Sequence, residues 1–84
     1  MNIIKNRVYK HFKGDQYLVI DTAINANDDK LYVIYRALYG DGQLYIRPYD
    51  EFVSKVDKDK YPNTQQEYRF EIIDINSING AYKK

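Results

Sequence analysis

The sequence predicts an all-β fold, a small and strongly bent antiparallel barrel of about five strands. Three observations predict it. Runs rich in tyrosine, valine and isoleucine recur at strand length, turn-forming pairs such as Gly14-Asp15 and Asp41-Gly42 separate them, and 84 residues leave room for one modest core.

The first strand is expected within Arg7 to Phe12, where Val8, Lys10 and Phe12 alternate with Arg7, Tyr9 and His11. Gly14-Asp15 turns the chain into a second run, Gln16 to Ile24, which is rich in β-branched and aromatic side chains. The polar stretch Asn25 to Lys30 ends it and leads into Leu31 to Leu38. Asp41-Gly42 is the pair that a two-residue type I′ hairpin prefers, so Leu31 to Leu38 should pair with Gln43 to Pro48. Pro48 cannot donate to a ladder, and Asp50 to Val53 suits a short helical turn. A charged loop from Asp57 to Gln66 precedes a last strand in Tyr68 to Ile73. Residues 74–84 read as a short C-terminal helix or a frayed tail, giving one domain over 1–84 with its core in 8–73.

Composition narrows the function classes. Thirteen basic and 12 acidic side chains leave a formal charge of +1, too little for a global field that gathers nucleic acid, so any anion site must be local. The opening MNIIKNRVYK lacks the apolar run of a signal peptide and no stretch of about 18 apolar residues occurs, so the chain is read as cytoplasmic with no membrane partner. The absence of cysteine fits a reducing compartment and removes thiolate chemistry. Ser54 and Ser77 lie in no nucleophile elbow, one histidine cannot assemble a usual zinc site, and no glycine-rich phosphate loop precedes a helix. No enzyme, metal or cofactor is therefore expected.

VYKHFKGDQYLVI, then VIYRALYGDGQLYIRPYDEF, then YRFEII resemble the bacterial and phage family called domain of unknown function 1653, over about Val8 to Ile73. The family's pattern falls here on Tyr9, on His11 to Gly14, on Tyr35 to Asp41, on Tyr45 to Pro48 and on Arg69-Phe70. The resemblance implies an SH3-like β-barrel and leaves the role unassigned. The chain departs from the pattern at Asn25 to Lys30 and at Tyr45, where the family usually carries tryptophan.

With Asp41-Gly42 as turn centre, Arg36 would face Arg47, Leu38 would face Tyr45 and Ile34 would face Tyr49, leaving Tyr35, Ala37, Leu44 and Ile46 on the other face. Two opposed arginines are unfavourable unless an anion lies between them. Arg36 and Arg47, bordered by Tyr45 and Tyr49, would then offer forked donors for phosphate and aromatic faces for a planar group. The alternative is that both arginines bind Asp50, Glu51, Asp21 or backbone carbonyls at a barrel rim, with the tyrosines packing their stems. His11 and Lys13 complete the candidate ligand-binding set, the histidine because its ordinary pKa lies near neutrality and the lysine as part of an N-terminal basic group.

The expected function is a non-catalytic binding module for a small phosphorylated or nucleotide-type ligand, which it would sequester as a homo-oligomer. The alternatives are an SH3-like protein-interaction module, for example a phage inhibitor of a host protein, and a single-stranded nucleic-acid binder.

Overall fold

The computed structural model describes residues 2–73. The expected helix or tail at 74–84 lies outside the described residues. The chain forms β1 (Val8–His11), β2 (Gln16–Asn25), β3 (Lys30–Ala37), β4 (Leu44–Pro48), the short helix α1 (Tyr49–Phe52) and β5 (Phe70–Ile72). All neighbouring strands are antiparallel, in the order β4-β3-β2-β1-β5. The fold is thus all-β with one helical turn, and the sheet curls around its core with β4 and β5 as its outer strands. Among the described residues no helix is long and apolar enough to cross a membrane.

A β-bulge between Val19 and Asp21 decides which side chains of β2 turn inward. Val19 pairs with Tyr35 and is fully buried, so strict alternation would send the Asp21 carboxylate into the core two residues later. The extra residue resets the alternation. Asp21 now pairs with Ile34 and meets the Lys5 ammonium at 3.5 Å in solvent, while Thr22 pairs with buried Val33.

Tyr9, Val19, Val33, Tyr35, Phe52 and Phe70 form the core. Phe52 reaches it from α1 and stacks on Phe70 with ring centres 4.0 Å apart, while its ring meets Tyr9 and Tyr35 edge-on at 5.7 and 5.3 Å. Such contacts add to simple area burial. Beyond α1, the Val56 N–H donates to Glu67 O and the Arg69 N–H to Ser54 O. This pairing flanks the 57–66 loop and delivers residues 69–72 to the free side of β1, where Tyr9 pairs with Ile72.

The β3–β4 register differs from the expected one. Arg36 pairs with Leu44, Tyr35 with Tyr45 and Val33 with Arg47, a displacement of three residues that reverses the faces of β4 relative to β3. The cause is the turn. Positive φ falls on Gly40 (56°) and Gly42 (71°) and not on Asp41, as a type I′ Asp41-Gly42 turn would require. The Gly42 N–H closes onto Tyr39 O at 3.1 Å, and the Ala37 N–H meets Gln43 O at 2.9 Å. Residues 38–42 therefore form the loop. Nothing crowds a Cβ at Gly40, so Gly40→Ala is expected to lose about 1–2 kcal/mol from backbone strain alone. Asp41→Ala, which carries no such strain, should change stability by no more than about 0.5 kcal/mol. Urea melts of the two variants check this, and the reverse ranking would restore the type I′ turn.

Candidate anion-binding face

With this register the two arginines part company. Arg36 lies on the outer face of the sheet, where its Nη1 donates to Gly42 O at 2.8 Å and helps hold the hairpin loop. Arg47 shares the inner face with Val33, Tyr35 and Tyr45. Tyr49, expected opposite Ile34 on the strand, instead begins α1 and packs half-buried against the core. The opposed arginine pair therefore does not form, and Arg36 and Tyr49 leave the expected constellation.

Arg47 and His11 meet at a different centre, Phe70, while Tyr45 lies one ring further out against Tyr17 and Tyr35. The Arg47 guanidinium lies over the Phe70 ring at 5.7 Å, and the His11 ring meets it edge-on at 4.9 Å. Two hydrogen bonds fix the guanidinium, from Nε to the Tyr35 hydroxyl at 3.0 Å and from Nη1 to a Glu51 carboxylate oxygen at 2.5 Å. The side chain remains 28% exposed. Arg69, immediately before Phe70, donates from Nε to Ser54 Oγ at 3.3 Å. Among the described residues no carboxylate lies within ion-pair range of Arg69 or Lys13. Lys13 instead spans the rings of Phe12 and Tyr61 at 5.9 and 5.5 Å.

His11 registers this excess of positive charge. Its pKa is lowered to about 4, first by burial and then by Arg47, Arg69 and Lys13, with only Asp15 acting the other way. The imidazole is neutral at pH 7. Its Nδ1 accepts the Lys13 backbone N–H at 3.1 Å, which leaves the proton on Nε2 as a donor. The unfolded chain protonates this histidine near 6.5 and the folded one near 4, so the unfolded state binds more protons between those values. Stability is accordingly complete above about pH 6.5 and falls as pH drops towards 4. Urea midpoints measured across that window should decline, and His11→Gln should flatten the decline.

Beside the cations stands a group of tyrosines. Tyr17 meets Phe70, Tyr35, Tyr39 and Tyr45 edge-on, and its hydroxyl lies 2.9 Å from that of Tyr39. Burial, together with that bond, raises the Tyr17 pKa, so the Tyr17 hydroxyl stays protonated at neutral pH. Tyr39 and Tyr45 are 44% and 40% exposed and present ring surface to solvent. Half-buried cations therefore adjoin accessible aromatic surface on one side of the sheet. Among the described residues no cluster of histidine and carboxylates is suited to hold a metal ion.

Arg69 and Phe70 are not among the candidate site residues read from the sequence, and Tyr17 and Tyr39, which could stack on bases, read there as core or rim aromatics. The adjacent pair Arg69-Phe70 was visible as a motif, but its position beside His11 depends on the β1–β5 pairing, in which His11 faces Phe70.

The sequence profile of the family described as "Protein of unknown function (DUF1653)" matches residues 7–72, and the chain belongs to that family. The fold is similar to a crystal structure of a DUF1653 protein from Bordetella bronchiseptica, with a TM-score of 0.69 and 26% sequence identity over 83% of this chain and 87% of that one. No curated protein matches the sequence.

Proposed function

We propose that this DUF1653 member is a non-catalytic binding module for a small anionic ligand of nucleotide type. The observation that carries the reading is the clustering of Arg47, Arg69 and Lys13 around a neutral, half-buried His11, with one carboxylate, Glu51, bonded to the group. Like charges gathered at a partly desolvated site repel one another, and a bound anion relieves that repulsion. Arg47 and Arg69 supply planar donor forks suited to phosphate, and His11 Nε2 adds a neutral donor. Tyr39 and Tyr45 supply flat surface for a purine, pyrimidine or comparable ring.

Isothermal titration of the full chain with inorganic phosphate and with nucleoside mono-, di- and triphosphates tests the proposal. Saturable binding is expected, and the nucleotides should bind more tightly than phosphate alone because only they engage the tyrosines. If neither phosphate nor any nucleotide in the panel binds, the reading fails.

A further inference from the structure

We infer that the free edge of β4 is a homodimer interface, joining two copies of this chain into one continuous sheet. The side-chain pattern of β4 is inverted. In β4 the arginine and the tyrosine face inward, while the two aliphatic side chains face out, Leu44 44% and Ile46 62% exposed. On the outer face Ile46 lies beside Ile34 in the ladder, and Ile24, 57% exposed, lies close by with Ala23 and Tyr32. A strand at a sheet edge normally carries charge or a bulge that discourages pairing. In β4 such protection is confined to the end of the strand, at Arg47 and Pro48, and Leu44, Tyr45 and Ile46 carry neither charge nor bulge.

Backbone geometry points to a second copy as the occupant. The Ala37 N–H bonds to Gln43 O, and antiparallel ladders alternate, so Tyr45 and Arg47 direct their backbone groups towards β3. Leu44 and Ile46 direct theirs to the edge that no strand pairs among the described residues, where the Leu44 carbonyl accepts from the Gln43 side-chain amide at 3.3 Å. The pairable edge is short at both ends. Gly42 has already spent its N–H on Tyr39 O, and Pro48 has none.

This edge matches itself about a two-fold axis through Tyr45. Leu44 then exchanges both N–H···O bonds with the partner's Ile46, and Ile46 does the same with the partner's Leu44, so no outward group of either residue is left over. A slide by two residues would set Leu44 against the partner's Pro48, which cannot donate to the Leu44 carbonyl. In the two-fold register Gln43 meets the partner's Arg47, so no like charges are opposed. The outer-face row runs from Ile34 through Ile46 to the partner's Leu44, giving the exposed aliphatics of β4 apolar neighbours across the seam, while Tyr45 meets the partner's Tyr45 on the inner face.

Sedimentation equilibrium of the full chain from low micromolar to near-millimolar concentration is expected to show a reversible monomer–dimer equilibrium. Ile46→Lys and Leu44→Lys should each abolish the dimer, whereas Ile4→Lys, at an exposed aliphatic away from β4, should leave it intact. Hydrogen exchange of the unmutated protein supplies a readout independent of any variant. The Leu44 and Ile46 amides should slow at least about tenfold as dimer forms, the protection expected when a free edge N–H becomes a ladder bond. A monomer throughout the range overturns the inference, whether the edge is bare or covered by residues 74–84. So does a dimer in which those two amides still exchange freely, because that result would place the contact on another surface.

Discussion

Phe70→Ala is expected to lower the stability of the domain by about 3–5 kcal/mol, the usual cost of emptying a buried aromatic site. Phe70 is 1% exposed and sits between the core and the candidate site, stacked on Phe52 and meeting His11, Tyr17 and Tyr35 edge-on. A domain of this size has little reserve. Native proteins hold only about 5–15 kcal/mol in total, and small chains without disulfides fall towards the lower end. The variant should therefore be largely unfolded at 37 °C. Phe70→Leu keeps much of the apolar volume and should cost less, but it removes the ring beneath Arg47. A urea melt of Phe70→Leu with a normal midpoint would show that the ring contributes little.

Arg47→Ala is expected to weaken nucleotide binding by about 10- to 100-fold, in line with about 1.5–3 kcal/mol for hydrogen bonds to a charged group. Arg47→Lys should recover part of the loss, since a lysine restores charge without the planar fork. The substitution also removes the Nε donor from the Tyr35 hydroxyl, whose side chain is 3% exposed, so some loss of stability will accompany it. Titrations should therefore be run where circular dichroism shows the variant folded. Arg36→Ala provides the contrast. That side chain lies on the outer face and reaches the site only through the loop that carries Tyr39, so its loss should cost far less nucleotide affinity than the loss of Arg47. Equal losses from Arg36→Ala and Arg47→Ala would contradict the placement of the site.

Those two arginines also show what the sequence could and could not reveal. The strands were legible because their side chains alternate, and the helical turn because Pro48 and Asp50-Glu51-Phe52 announce it locally. The register of β4 was not. An Asp41-Gly42 turn would have sent Leu44 and Ile46 inward, which is the apolar pattern that an isolated hairpin favours. In the folded chain Phe52 and Phe70 complete the core beneath Val33 and Tyr35. They arrive from beyond β4 in the sequence, and their contribution cannot be read from the hairpin alone. His11, Lys13, Tyr45 and Arg47 were each identifiable as chemically suitable residues. Their assembly required β1 to bring His11 against β5, and the chain after α1 to carry Arg69 back alongside.

An NMR titration of the labelled full chain with adenosine monophosphate and with inorganic phosphate shows whether His11, Lys13, Arg47 and Arg69 form one anion site flanked by tyrosines. Saturable shifts are expected at these four residues, with shifts at Tyr39 and Tyr45 for the nucleotide alone and a rise of the His11 pKa from about 4 as the bound anion offsets its cationic neighbours. An unmoved His11 pKa, with any shifts confined to the outer face around Arg36, Leu44 and Ile46, would contradict such a site.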